Sequence, residues 1–261
     1  MIAGQAGAEV TLKIGGTGNA LGSMKLLAAA FQELNPDIKV VVLPSLGSGG
    51  GIMAVLRGSL DIGLSSRPMK DSERSPELQV IEYSRTPLVP VANRDVNSSG
   101  VDYADLIKIF RGEIKTWPEG IRIRLVVRPA RESDTLALKD ISPDMRSAVD
   151  AALVRPGMLV TMTDQDNADM IETLSGAFGF ATLSQIIAEN RTVKILSYNG
   201  VLPSVQSLLD RSYPLYKQLF LVIKLGPAAP VRHFLEFVRS DRGRKILEES
   251  GNLFVMDSPV R

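Results

Sequence analysis

Residues 10–34, VTLKIGGTGNALGSMKLLAAAFQEL, and the following segment 38–64, IKVVVLPSLGSGGGIMAVLRGSLDIGL, decide the fold class. Val10 to Ile14 alternates apolar and polar side chains into a glycine turn, the period-2 signature of a strand. From Ala20 to Leu34 the period changes. Leu27, Ala30, Phe31 and Leu34 share one face of a helix that Asn35-Pro36 ends. Ile38 to Leu43 is a continuous apolar run stopped by Pro44, which predicts a strand buried on both faces. Gly47 to Gly51 reads as a glycine-rich loop ahead of a short helix from Ile52 to Arg57, and Leu60 to Leu64 as a third strand. Strands and helices in alternation predict a mostly parallel sheet with helices on both faces.

The rest of the chain continues the theme less regularly. Leu88 to Asn93, Ile123 to Val127, Phe178 to Thr182 and Leu219 to Lys224 read as strands. Tyr103 to Phe110 reads as a helix, Ser133-Asp134-Thr135 opens another from Leu136, and an amphipathic helix runs from Pro230 to about Ser250. The Asn97–Gly100 loop and the proline-marked stretch 203–214 read as crossover hinges.

Composition closes several doors. The 261 residues carry 30 Lys+Arg against 29 Asp+Glu, a net charge of +1 that gives no basic surface for nucleic acid. There is no cysteine and one histidine, His233. Thiolate chemistry, disulfide frameworks and His-rich metal clusters are therefore excluded. A Ser-His-Asp triad would have to use His233, and no G-x-S-x-G elbow exists. No 18-residue apolar run is present, and the opening MIAGQAGAEVTLKIGG lacks the basic and apolar regions of a secretory leader. His233 is read as a surface or packing residue, Trp117, Leu235, Phe237 and Val238 as packing, and Asp61 as structural.

Three places share one design, a strand end followed by a Gly/Ser/Thr turn and a helix start. They are Gly16-Thr17-Gly18-Asn19, Gly47-Ser48-Gly49-Gly50-Gly51 and Ser133-Asp134-Thr135. A helix start presents unpaired N–H groups and a partial positive charge, so it accepts an anion, and hydroxyls add donors. In open α/β sheets such junctions gather at the carboxyl edge of the strands. The same residues also suit plain N-caps and tight turns. A dinucleotide site fits poorly: Gly22 comes one position late for G-x-G-x-x-G, and the next strand ends in Pro44-Ser45 without an acidic residue. Arg67, Arg128 and Arg131 lie near the turns, where a guanidinium offers an oxyanion two parallel hydrogen bonds.

Seven segments in order resemble a known family: GGTGNALGSMKLLAAAF at 15–31, LGSGGGIMAVLRGSLDIGLSSRPMK at 46–70, LIKIFRGEIKTW at 106–117, VVRPARESDTLALK at 126–139, GAFGFATLS at 176–184, DRSYPLYKQLFLVI at 210–223 and FLEFVRSDRGRKILEESGNLF at 234–254. Across nearly the whole chain they resemble the phosphate-binding proteins of ABC transporters, within the class II periplasmic binding proteins. The resemblance implies an α/β fold of two lobes, residues 1–90 plus 205–261 and residues 91–204, with a ligand cleft between them. It implies inorganic phosphate as ligand, membrane ABC permease subunits as partners, no nucleic acid, no cofactor or metal, a monomer, no enzymatic activity, and a periplasmic or extracellular location. Sulfate, molybdate or a phosphonate, and a role in phosphate signalling, are the alternatives.

Site residues carried over by the resemblance are Thr17, Gly18 and Asn19 in the first turn, and Ser48 with Gly49 in the second. Arg128, Ser133, Asp134 and Thr135 match the family's Arg-x-x-x-Ser-Gly-Thr stretch. The arginine-to-serine spacing is one residue longer here, which leaves Arg128 and Arg131 both open, and Asp134 replaces a glycine. Where some members carry an aspartate that accepts the proton of hydrogen phosphate, this chain has Ser66 followed by Arg67. Asp134 either supplies that acceptor or is an ordinary helix-start carboxylate.

Overall fold

The computed structural model describes residues 10–256, and the reading of residues 1–9 as part of a leaderless start lies outside the described residues. The chain divides into two compact units. Of the described residues, 10–83, 219–249 and 254–256 form the first and 84–218 and 250–253 the second. The sequence had placed the changeovers at 90/91 and 204/205. Among the described residues no helix is long and apolar enough to cross a membrane.

The first unit begins with β1 (Val10–Gly16), α1 (Leu21–Leu34), β2 (Ile38–Val42), α2 (Gly47–Leu56), β3 (Ile62–Ser65) and the start of β4 (Leu78–Ala92). β1 pairs in parallel with β2, from Val10 opposite Ile38 to Ile14 opposite Val42, and with β3 at Ile14 opposite Ile62. β2 was expected to be buried on both faces. It is instead the outer strand, partly exposed along its length with Lys39 in solvent. An apolar run reports burial on average and carries no signal for a place at the sheet edge.

The glycine-rich stretch was also expected to be a loop. Gly47 to Gly51 is instead the first part of α2 itself. Tertiary contact outweighs glycine's weak helix propensity here. A Cβ on Gly51 would come within 2.8 Å of Gly16 Cα, and one on Gly63 within 2.9 Å of Gly51 O. Bare backbone is what lets α2 lie directly on the ends of β1 and β3.

The second unit holds the rest of β4, then β5 (Gly100–Val101), α3 (Tyr103–Arg111), β6 (Arg124–Val127), α4 (Ser133–Lys139), α5 (Pro143–Leu153), β7 (Leu159–Val160), α6 (Asp164–Thr173), β8 (Ala177–Thr182), α7 (Leu183–Ala188), β9 (Lys194–Ile195), β10 (Ser197–Tyr198), α8 (Val205–Leu209) and the start of β11 (Tyr216–Lys224). β8 runs antiparallel to β4, with Leu88 opposite Thr182, and parallel to β6, with Leu125 opposite Phe178. β4 starts ten residues before the Leu88 read from sequence, because Glu82, Arg85 and Pro87 break its apolar pattern. α5 and α6 were not read. Ser142-Pro143 marks the start of α5 and the Thr163–Asp166 capping box the start of α6.

β11 continues into the first unit and runs antiparallel to β3, with Leu221 opposite Leu64. The predicted helix from Pro230 to Ser250 is two helices, α9 (Ala229–Arg239) and α10 (Asp241–Glu249), followed by β12 (Leu253–Phe254). The break is at Ser240, an extended residue whose Oγ bonds Phe237 O at 2.6 Å and accepts from Gly243 N–H at 3.2 Å. Serine side chains compete in this way for backbone groups that would otherwise continue a helix.

Each unit has its own core. In the first, Phe31 of α1 meets Phe234 of α9 edge-to-face at 5.2 Å, among Leu12, Ile14, Met24 and Leu235. Such fully buried side chains contribute about 1.5–3 kcal/mol each. In the second, Trp117 packs edge-to-face on Phe178 at 5.6 Å and donates Nε1–H to Gly176 O at 3.2 Å. Leu235, Phe237 and Val238 are buried, and His233 is exposed, as read from the sequence.

Candidate functional site

In the first unit three junctions bring three hydroxyls together. The end of β1 delivers Thr17, the end of β3 delivers Ser66, and the first turn of α2 delivers Ser48, all buried. Thr17 Oγ1 lies 2.9 Å from Ser66 Oγ, and Ser66 Oγ lies 3.4 Å from Ser48 Oγ. Ser66 N–H donates to Ser48 Oγ at 3.1 Å. Gly18 and Asn19, both buried, form the single 3₁₀ turn between Thr17 and α1. The outcome is a cluster of uncharged donors at the positive end of a ten-residue helix, suited to a small anion. Asp61 accepts Lys13 N–H at 2.7 Å, a brace from the middle of β1 to the residue ahead of β3, consistent with a structural role.

Arg67 stands next to this cluster with its charge already shared. Nη1 donates to Glu73 Oε2 at 2.7 Å and to Pro68 O at 3.0 Å, while Nη2 donates to Glu73 Oε1 at 2.5 Å. The hydrogen-bonded guanidinium holds the Glu73 carboxyl below its ordinary range, against the opposing effect of burial. A Cβ on Gly49 would lie 3.4 Å from Glu73 Oε1 and 3.6 Å from Arg67 Nη2, so the pair sits against the start of α2.

The second unit gathers charge. Arg128, at the end of β6, is buried, whereas Arg131 is exposed; of the two arginines left open, Arg128 joins the cluster. Its Nη1 donates to Thr161 O at 2.6 Å. Its Nη2 lies 3.6 Å from Asp164 Oδ1 and 3.7 Å from Glu132 Oε2, and its buried Nε has no hydrogen-bond partner. Thr135 Oγ1 donates to Arg128 O at 2.9 Å, which ties α4 to β6. Lys217, buried near the start of β11, donates Nζ–H to Ser133 Oγ at 2.5 Å and forms an ion pair with Asp134.

Asp164 completes the group from the first turn of α6. Burial pushes its carboxyl up to about 6, with the charge on Asp134 adding to the effect and Arg128 and Lys217 opposing it. Two cations thus face two buried carboxylates and the partly exposed Glu132. Pairing of this kind keeps the buried charges tolerable, with Glu132 the carboxylate in excess.

Residues that sequence reasoning missed are Glu73, Asp164 and Lys217. Glu73 and Asp164 carried no signal beyond an acid near a turn or helix start. Lys217 did: it is in period-2 register with Leu219, Leu221 and Ile223, all core residues. A lysine in that register needs a buried partner.

A family model described as the PBP superfamily domain matches residues 3–242. Among curated relatives, "Phosphate-binding protein PstS" of Bacillus subtilis (strain 168) is 26% identical over 265 residues, covering 98% of this chain and 85% of that protein. "Protein SphX" of Synechococcus elongatus is 27% identical over 241 residues, covering 84% of this chain and 70% of that protein. Among solved structures, a putative phosphate ABC transporter substrate-binding protein with bound phosphate from Clostridium perfringens superposes with a TM-score of 0.79 at 19% identity, covering 94% of this chain and 99% of that one. The BenM effector-binding domain with benzoate superposes at 0.61 with 11% identity, covering 92% of this chain and 95% of that one. At these identities the superpositions show a shared fold.

Proposed function

The chain belongs to the PBP superfamily, whose domain model spans residues 3–242, and from that premise we propose that it binds inorganic phosphate and delivers it to an ABC-type phosphate importer. It is a carrier, not an enzyme. The observation that supports this most is the meeting of Thr17, Ser48 and Ser66 at the start of α2, three buried hydroxyls within 3.4 Å of their neighbours. Uncharged donors at a helix start hold an anion without a neutralising metal or covalent bond. The phosphate-binding relatives and the phosphate-bound structural neighbour favour phosphate over other oxyanions.

In this reading each unit carries a donor set suited to an anion: Thr17, Gly18, Asn19, Ser48, Gly49 and Ser66 with Arg67 in the first, and Arg128, Ser133, Thr135 and the backbone N–H of Asp134 in the second. Hydrogen bonds to a charged group contribute roughly 1.5–3 kcal/mol each, so a few of them offset the loss of water around a dianion. The protein acts as a monomer outside the cytoplasmic membrane and hands its ligand to membrane permease subunits. Titration calorimetry with phosphate, sulfate and molybdate tests the reading. Saturable heat with phosphate is expected; heat from another anion alone overturns the ligand assignment, and turnover of p-nitrophenyl phosphate overturns the carrier role.

A further inference from the structure

We propose that Lys217 is a positioning residue of the anion site, one that cancels Asp134 and orients Ser133 as a donor; this rests on the phosphate-binding reading above. Ser133, Asp134 and Thr135 form the first turn of α4, in the stretch assigned to the anion. An acid within an anion-binding turn is a contradiction unless its charge is met. The Lys217 ammonium meets it, buried, from a different element of the same unit.

Ammonium groups only donate, so Ser133 Oγ accepts at 2.5 Å and the hydroxyl's own proton points away from Nζ. A hydroxyl that accepts from a cation is also a stronger donor. Lys217 therefore prepares Ser133 for an acceptor such as a phosphate oxygen.

Charge balance gives the second half. Arg128 is the other cation of this cluster, and its Nη2 is already shared between Asp164 and Glu132. Without Lys217 one guanidinium would face three carboxylates, on α6, at the entry to α4 and within α4. That surrounding would repel a dianion. With Lys217 present two cations stand against three carboxylates, and Asp134, the acid within the turn itself, is paired.

The test measures phosphate binding by calorimetry in the full chain, with Trp117 fluorescence reporting whether the second unit stays folded. Lys217→Met is expected to bind phosphate roughly 100-fold more weakly. Lys217→Arg is expected to stay within about tenfold of wild type, since a cation remains. Lys217→Met with Asp134→Asn is expected to recover at least about tenfold over the single variant, because both charges leave together. Unchanged affinity in folded Lys217→Met, or a double variant as weak as the single one, overturns the proposal.

If Lys217→Met does not fold, Asp134→Asn decides, with sulfate as probe. Sulfate has no proton for a carboxylate to accept, so it isolates the charge effect. Tighter or newly detectable sulfate binding supports the proposal, and unchanged or weaker sulfate binding overturns it. A wild-type chain that binds neither anion overturns the phosphate reading itself, an outcome visible before any variant is made.

Discussion

Replacing Asp164 with asparagine tests the electrostatics of the second unit through its folding. Burial and the neighbouring Asp134 raise the Asp164 carboxyl from its ordinary 3.8 to about 6. The folded unit therefore holds the proton more tightly than the unfolded chain. Below about pH 4 both states are protonated and no penalty exists. Between pH 4 and 6 the unfolded chain ionises first, and the wild type loses stability as pH rises. Above pH 6 the penalty is constant. A shift of about two units corresponds to about 3 kcal/mol. Asparagine keeps the shape of the neutral acid, so it escapes the pH-dependent penalty.

Urea unfolding followed by Trp117 fluorescence reads this directly, because the chain's one tryptophan is buried in the second unit against Phe178. Relative to wild type, Asp164→Asn should gain about 3 kcal/mol between pH 3.5 and pH 8, most of it between 4 and 6. A stability difference that stays constant with pH refutes the reasoning. So does a wild type that gains on the variant as pH rises, which would mean Arg128 holds Asp164 ionised more strongly than burial opposes it.

Three further outcomes are expected. Ser48→Ala removes the acceptor of Ser66 N–H as well as a proposed anion donor, and should weaken phosphate binding by roughly 10- to 100-fold in calorimetry, with a stability cost of about 1–2 kcal/mol. Gly51→Ala would place a Cβ 2.8 Å from Gly16 Cα, where only backbone can give way. It should cost about 1–3 kcal/mol in thermal unfolding and weaken phosphate binding by moving α2 off the strand ends. Glu73→Gln should destabilise by about 1 kcal/mol, after allowance for solvent at the pair. Because the Glu73 carboxyl is held below its ordinary 4.5, that difference is fully present above pH 4.5 and disappears as pH falls through its folded value, as urea midpoints at pH 3 and pH 7 would show.

The alternation of Val10 to Leu64, the glycine turns and the strand-to-helix junctions were legible because each is a local pattern with a fixed period. They marked the turns that hold Thr17, Ser48 and Ser133–Thr135, whereas Ser66 and the match of Arg128 to that last stretch came from the family resemblance. What was misread has a common cause. The edge position of β2, the helical start of α2 at Gly47 and the break at Ser240 are each decided by what a segment packs or bonds against.

No cysteine, one histidine and a near-zero net charge determined from the sequence alone that this protein's chemistry rests on hydroxyls, carboxylates, cations and backbone amides. Tertiary structure decided which of these meet. Arg67 finds Glu73 six residues on, but Lys217 finds Asp134 across 83 residues of chain, and Arg128 finds Asp164 across two helices and a strand. A buried charge needs its partner within a few ångströms, and no local period in the sequence records a distance that only folding creates.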